Sequence, residues 1–123
     1  MTSSPEAAPF AFEGLDRLFH ERARLGIVTS LAGNPDGLAF SELKRMCGLT
    51  DGNLSRHLAA LEEAEYVAIA KDMAARRPVT TCRLTALGLD RFVSYLAVLE
   101  TALKEGTRAT SGKGRSPAVA LKA

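Results

Sequence analysis

The apolar residues of the first part of the chain follow a helical pattern that a breaker then ends. From Glu13 they recur at spacings of three and four residues, which is the repeat of an amphipathic helix. These positions are Leu15, Leu18, Phe19, Leu25, Ile27, Val28 and Leu31. The segment Gly33-Asn34-Pro35-Asp36-Gly37 stops the pattern. Polar residues between Phe19 and Leu25 interrupt its phase, so the segment is predicted as either one bent helix or two short helices.

Residues 38–48 predict a short strand followed by a short helix. Leu38-Ala39-Phe40 is an apolar run of strand length, which fits a single edge strand. Ser41 follows it and is of a residue type that caps helix N-termini. Gly48 is predicted to end this helix in the left-handed conformation, which glycine adopts at little cost.

Residues 50–64 predict a helix with a leucine stripe on one face and polar residues on the other. Thr50 is suited to cap its start, and Leu54, Leu58 and Leu61 share one face at about 100° per residue. The side chains on its polar face are short, and many of them can form hydrogen bonds. Such a face suits close approach to another molecule.

A β-hairpin is predicted to follow this helix. Residues 66–71 and 79–84 are rich in β-branched and aromatic side chains, and the loop 72–78 joins them. Thr85 is then predicted to cap a last helix, whose apolar stripe extends as far as Leu103. After Gly106 the chain is rich in Gly, Ser, Thr and basic residues, which is typical of disorder. The sequence therefore predicts a flexible arm (1–12), one domain (13–105) and a disordered basic tail (106–123).

Composition limits what the chain can do. With 123 residues and 46% hydrophobic content, one modest core is expected. The net charge of +2 is too small to indicate a nucleic-acid partner by itself. Neither a run of about 18 apolar residues nor a signal-peptide pattern is present, so a cytoplasmic protein without a membrane partner is expected. The two cysteines, Cys47 and Cys82, form no metal-binding spacing, and we expect no metal or cofactor.

The predicted order of elements is that of a winged helix-turn-helix domain, and four stretches resemble one family. They are residues 20–27 (His-Glu-Arg-Ala-Arg-Leu-Gly-Ile), 49–58 (Leu-Thr-Asp-Gly-Asn-Leu-Ser-Arg-His-Leu), 76–81 (Arg-Arg-Pro-Val-Thr-Thr) and, more weakly, 84–88 (Leu-Thr-Ala-Leu-Gly). Over roughly residues 15–103 the chain resembles the small bacterial winged-helix regulators of the MarR and ArsR type. The resemblance implies a mainly α fold with a small β-hairpin, and terminal helices that extend the core. It also implies a DNA-binding transcriptional regulator.

Two positions depart from the family pattern. Glu65 stands where glycine usually follows the DNA-reading helix, and would cost on the order of 1 kcal/mol in a left-handed conformation. Ala74-Ala75 stand where the wing usually carries glycine. We therefore expect a looser or longer turn at the wing.

The predicted DNA site combines the polar face of helix 50–64 with the wing. Asn53 and Arg56 carry the amide and guanidinium groups that suit adenine and guanine in the major groove. Ser55 and His57 are predicted phosphate contacts, and Gly52 leaves either room for close approach or only a propensity cost of about 1 kcal/mol. Wing arginines are placed for the minor groove or its phosphates. The full set is Lys44, Arg45, Thr50, Gly52, Asn53, Ser55, Arg56, His57, Lys71, Arg76 and Arg77.

The terminal helices predict a homodimer. Their apolar residues are expected to pack against a second copy as well as against their own chain; the alternative is a helix that only covers its own core. The predicted dimerisation set is Leu15, Leu18, Phe19, Phe92, Leu96, Leu99 and Leu103.

Other functions receive less support from the sequence. No catalytic triad, phosphate-binding loop or paired carboxylate motif is present, so an enzyme is not expected. The main alternative is a winged helix that binds another protein and has no specific DNA affinity. A regulator could also take a small-molecule effector between its first and last helices, and the sequence names no such ligand.

Overall fold

The computed structural model describes residues 8–74 and 76–112. The chain forms two compact units. One spans residues 16–93, and the other combines the described residues up to Leu15 with those from Ser94 onward.

Four helices and three strands make up the described fold. In chain order they are α1 (Arg22–Ala32), β1 (Leu38–Ala39), α2 (Phe40–Cys47), α3 (Asp51–Glu63), β2 (Val67–Asp72), β3 (Val79–Leu84) and α4 (Ala86–Ser111). The strands form an antiparallel sheet in the order β1-β3-β2, with Cys82 between Leu38 and Ile69. This arrangement confirms the predicted winged helix-turn-helix fold.

The core of the unit 16–93 is built from the apolar faces of its helices and strands. Phe19 lies at its centre, with its ring stacked 5.1 Å from that of Tyr66 and edge-on 5.4 Å from that of Phe92. Phe19 and Phe92 are both buried, so the prediction that they form a dimer surface is wrong. Their spacing matched the apolar stripe, which cannot tell a core position from an interface position. Leu15 and Leu18 are half-buried.

The first helix begins nine residues later than its apolar spacing predicts, at Arg22 rather than at Glu13. The backbone of Glu21 prevents an earlier start, because it is extended, with φ −125° and ψ 129°, and serves as the N-cap of α1. Before it, the N–H of Leu18 donates to the Asp16 carboxylate at 2.9 Å, and the backbone forms only a short turn around Asp16. The segment that precedes Arg22 is therefore a series of turns rather than a second helix.

The second helix has a different cap from the predicted one. Its N-cap is Ala39, and the Glu42 carboxylate accepts a hydrogen bond from the Ala39 N–H at 3.2 Å. Ser41 lies inside the helix, so its predicted capping role is wrong. Strand β1 needs only Leu38 and Ala39 to pair with β3, which leaves Phe40 free to begin the helix. Gly48 is left-handed as predicted, with φ +64°.

The exit of α3 passes through a left-handed glutamate. Glu65 has φ +65°, a conformation that costs a non-glycine residue about 1 kcal/mol. Two backbone hydrogen bonds of 2.9 Å close the helix there, from Glu65 to Glu62 and from Tyr66 to Leu61. This pattern is the Schellman motif. The helix therefore ends in this usual geometry although glutamate, and not glycine, occupies the left-handed position.

Thr85 ties this exit to the start of α4. Its hydroxyl donates to the carbonyl of Glu65 at 2.7 Å, lies 3.1 Å from the carbonyl of Tyr66, and accepts from the N–H of Gly88 at 2.9 Å. Its own N–H donates to the Tyr66 carbonyl at 2.9 Å. A Cβ at Gly88 would collide with that same carbonyl oxygen. The Leu-Thr-x-x-Gly stretch is therefore a structural joint.

Helix α4 is longer than predicted. It continues through Gly106 to Ser111, so residues 106–111 of the predicted disordered tail are helical. An ion pair of 3.5 Å between Arg108 and Glu105 spans one turn of this part. Most of the remaining tail, and residues 1–7 of the predicted arm, lie outside the described residues. Within the described part of the chain, no helix is long and apolar enough to cross a membrane.

We predict that Gly88→Ala destabilises the fold by about 1–3 kcal/mol, because its methyl group would press on the Tyr66 carbonyl. Gly106→Ala is the matched control in the same helix. A Cβ at Gly106 would meet no atom within 4 Å, and this change should stabilise by up to about 1 kcal/mol through helix propensity. Chemical denaturation measures both. Equal changes in the free energy of unfolding for the two substitutions would contradict the structural role of Gly88.

Candidate nucleic-acid interface

The start of α3 is held by its cap and by α2. The Thr50 hydroxyl accepts a hydrogen bond from the N–H of Asn53 at 3.2 Å, as its predicted capping role requires. The ammonium of Lys44 lies 2.8 Å from the Asp51 carboxylate. Both side chains are largely exposed, so this pair contributes at most about 1 kcal/mol. Its effect is to tether Lys44, a predicted phosphate anchor, to the first turn of α3.

The outward face of α3 is polar and exposed to solvent. Asn53, Ser55 and Arg56 are exposed, whereas the leucine stripe of the same helix is buried. Gly52 is exposed as well, and a Cβ there would meet no atom within 4 Å. The packing of the protein therefore gives no reason for a glycine at this position. This face can accept a partner at close range.

The wing and the strand that leads into it carry cationic side chains. Lys71, Arg76 and Arg77 are all exposed, and the wing turn begins where the Asp72 carboxylate accepts a hydrogen bond from the Ala74 N–H at 3.0 Å. Ala75, which belongs to the predicted departure at the wing, lies outside the described residues.

Two surface grooves connect the wing to the helices. One, of about 580 Å³, is lined by Ser55 of α3 and Lys71 of β2, over an apolar floor that includes Ile69. The other, of about 350 Å³, lies between Arg77 and Ser41 at the start of α2. Of the predicted contact residues, Ser55 and Lys71 thus share one groove, and Arg77 lines the other.

Charge is distributed unevenly along α3. Arg56 lies in its first half, whereas Glu62 and Glu63 are exposed at its end and Glu65 follows them. Arg45 is exposed on α2. Positive charge therefore lies near the N-terminus of α3, where the helix dipole also favours anions.

His57 does not belong to this surface, so its predicted phosphate contact is wrong. Only 5% of His57 is exposed, and its Nε2 atom lies 3.3 Å from Oε2 of Glu21, the N-cap of α1. The sequence contains a signal for this position. Leu54, His57, Leu58 and Leu61 follow the i, i+3, i+4, i+7 spacing of a single buried face.

The environment of His57 favours its neutral form. Burial lowers the pKa of His57, and the charges of Arg56 and Arg24 lower it further, while the Glu21 carboxylate raises it. The pKa of Glu21 is itself lowered, mainly by the hydrogen bond from the Ala23 N–H. A neutral imidazole therefore faces an ionised carboxylate near neutral pH.

The thiols and acids of this region offer no metal centre. Cys82 is buried, which raises the pKa of its thiol, and Cys47 is half-buried. Among residues 8–74 and 76–112, no three His, Cys, Asp or Glu side chains cluster in a way that could hold a metal ion.

Comparisons with known proteins agree with this architecture. A family model described as a winged helix DNA-binding domain matches residues 23–103. A protein of Methanocaldococcus jannaschii is 34% identical over 80 residues, which is 65% of this chain and 86% of that protein.

Solved structures show the same fold. A transcriptional regulator homologue from Pyrococcus horikoshii OT3 is 28% identical, with a TM-score of 0.69 over 73% of this chain and 88% of that one. MepR of S. aureus, a MarR-family regulator solved in complex with DNA, is 19% identical, with a TM-score of 0.63 over 85% of this chain and 86% of that one.

We predict that acid weakens the fold through His57. Because the pKa of His57 is lowered from 6.5 in the folded chain, the unfolded chain binds a proton first as the pH falls. This contribution to stability is complete above about pH 6.5 and is lost below it. Between about pH 7.5 and 5.5, the melting temperature of His57→Gln should therefore fall less than that of the wild type. An equal fall in His57→Gln and in the wild type would refute the assignment.

Proposed function

The chain belongs to the family of winged helix DNA-binding domains and is a DNA-binding transcriptional regulator, and we propose that it reads one specific operator as a homodimer. Regulators of this kind are not enzymes. In this proposal α3 enters the major groove, and the wing contacts the minor groove or its phosphates. Bound at a promoter, the chain excludes the transcription machinery and acts as a repressor.

The observation that carries the proposal is the shared groove between α3 and the wing. Ser55 and Lys71 line it from opposite elements, and the exposed Asn53 and Arg56 lie on the same helix as Ser55. An amide and a guanidinium group are the side chains that bind adenine and guanine edges in pairs of hydrogen bonds. Wing cations and the α2 residues Lys44 and Arg45 supply phosphate contacts, which position the chain without reading sequence.

Gly52 and Thr50 complete the proposed contact surface. With no Cβ and no neighbour within 4 Å, Gly52 permits the backbone of the first turn to approach a phosphate. Backbone N–H groups at a helix N-terminus bind anions well. Thr50 positions this turn through its cap rather than through a base contact.

The exposed apolar residues of α4 support the proposed dimer. Leu96 is 42% exposed and Leu103 is 64% exposed, an unfavourable state for large apolar side chains on one helix. Leu99 is half-buried. A two-fold dimer would place two α3 helices about 34 Å apart, which requires a pseudo-palindromic operator. An effector that changes this spacing would regulate binding.

We predict that two arginine substitutions have different effects on DNA binding. Arg56→Ala should reduce the preference for the operator over random duplex by about 1–3 kcal/mol, because a base contact is lost. Arg77→Ala should weaken binding to all sequences alike and lower the salt dependence by about one phosphate. Affinity for the promoter beside its own gene, measured at several salt concentrations, tests both. Arg91→Ala, at an exposed site on α4, controls for lost charge.

Two results would overturn the proposal of specific reading. One is a wild-type chain that binds the promoter no better than random duplex. The other is a pair of arginine variants that bind like the Arg91 control. A stable complex with another protein in the absence of DNA binding would favour the protein-interaction alternative. For repression, deletion of the gene should raise transcription from the bound promoter.

We also predict that the free chain sediments at twice its mass of 13.1 kDa. Leu96→Lys should yield monomers, because a charge on a buried dimer face is costly. Thr101→Lys, at an exposed polar position of the same helix, should leave the dimer intact. A wild-type monomer at micromolar concentration would contradict the proposed dimer.

A further inference from the structure

The carboxylate of Glu21 serves two helices at once. Its Oε1 atom accepts a hydrogen bond from the N–H of Ala23 at 2.7 Å and so caps α1. Its Oε2 atom lies 3.3 Å from Nε2 of His57 on α3 and 3.9 Å from Nη2 of Arg24. One side chain therefore links the start of α1 to the middle of the proposed DNA-reading helix.

His57 is placed so that its contact controls the outward face of α3. It follows Arg56 directly and lies one turn after Asn53. Since successive residues turn by about 100° around a rigid helix, the direction of His57 fixes the direction of its exposed neighbours. The leucine stripe permits small rotations, because apolar contacts have no preferred direction. A short polar contact with another element, here the 3.3 Å between Nε2 of His57 and Oε2 of Glu21, restricts them.

We propose that Glu21 is a positioning residue for DNA recognition, whose contact with His57 fixes the rotation of α3 so that Asn53 and Arg56 point toward the bases. The proposal rests on the function proposed above. Glu21 itself makes no favourable contact with DNA in it, because a carboxylate repels phosphates. Sites held to within about 0.5 Å recognise their partner best, and supporting residues of this kind provide that precision.

The charges around His57 agree with this role. The groups that face it are Glu21 and Arg24 from α1 and Arg56 from α3. With the imidazole neutral and the carboxylate ionised, the polar Nε2 atom of His57 faces the negatively charged Oε2 atom of Glu21 at 3.3 Å. Polar contacts that involve an ionised group are stronger than those between neutral groups. Both partners keep these states at neutral pH, because the pKa of His57 and that of Glu21 are both lowered.

Glu21→Asp separates positioning from capping. Aspartate is a good N-cap residue and conserves the charge, so α1 and the overall attraction to DNA should remain. Its side chain is one methylene shorter, and a carboxylate that caps Ala23 can then no longer reach His57. We expect affinity for the operator to fall about fivefold, as for one lost polar contact, with no change for random duplex. The pKa of His57, followed by NMR, should fall further because the attraction of Glu21 is removed.

The control and the second variant keep the test decisive. Glu63→Asp makes the same change at the exposed far end of α3 and should leave both the affinity and the pKa of His57 unchanged. His57→Gln should lower operator affinity by a similar factor, and the double variant with Glu21→Asp should be no worse than either single variant, because both remove one contact. This second route stands even where Glu21→Asp loses stability.

Each result decides the proposal. It is overturned if Glu21→Asp lowers the pKa of His57 and still binds the operator like the wild type, if the pKa does not move, or if the two substitutions have fully additive effects. A wild-type chain without operator preference would instead sink the proposed function. That failure is visible before any variant is made.

Discussion

The hydroxyl group of Thr85 forms hydrogen bonds with three elements of the fold. It contacts the exit of α3 at Glu65, the entry of β2 at Tyr66 and the first turn of α4 at Gly88. The position of α3 relative to the sheet depends on this joint, because only a short connection links them. Glu65 is the single residue between the C-cap of α3 and Tyr66, which leads into β2. The wing is an extension of that sheet, so the groove between α3 and the wing depends on it too. A small polar side chain thus sets the geometry on which a larger surface relies.

The helix α3 divides its residues between two tasks. Its inner face carries the buried leucines and His57, and its outer face is exposed. Because the outer face contributes little to folding, its side chains can vary to match a binding partner without loss of stability. The inner face cannot vary in that way, since a change there moves every outer residue. His57 belongs to both descriptions: it is part of the core, yet it affects recognition through the orientation that it gives to the helix.

Local pattern was sufficient to predict the fold. The cap at Thr50, the left-handed Gly48 and the alternating strands all depend on neighbours in sequence, and the structure confirms them. Spacing alone did not show where two helices begin, because the Glu21 and Glu42 carboxylates take part in the starts of α1 and α2. The error at His57 is different, because its spacing places it on the buried face and only its polar side chain favoured a DNA contact. Spacing also could not separate the core positions Phe19 and Phe92 from an interface. The DNA contacts themselves remain predictions.

The left-handed Glu65 has a consequence that concerns selectivity rather than folding. Glycine there would relieve the backbone, yet it would also remove a carboxylate that stands beside Glu62 and Glu63. These negative charges lie at the C-terminal end of α3. They raise the energy of any encounter in which that end approaches a polyanionic partner first. In the proposed complex with DNA, Glu65 would therefore disfavour orientations in which this end of α3 approaches the DNA first.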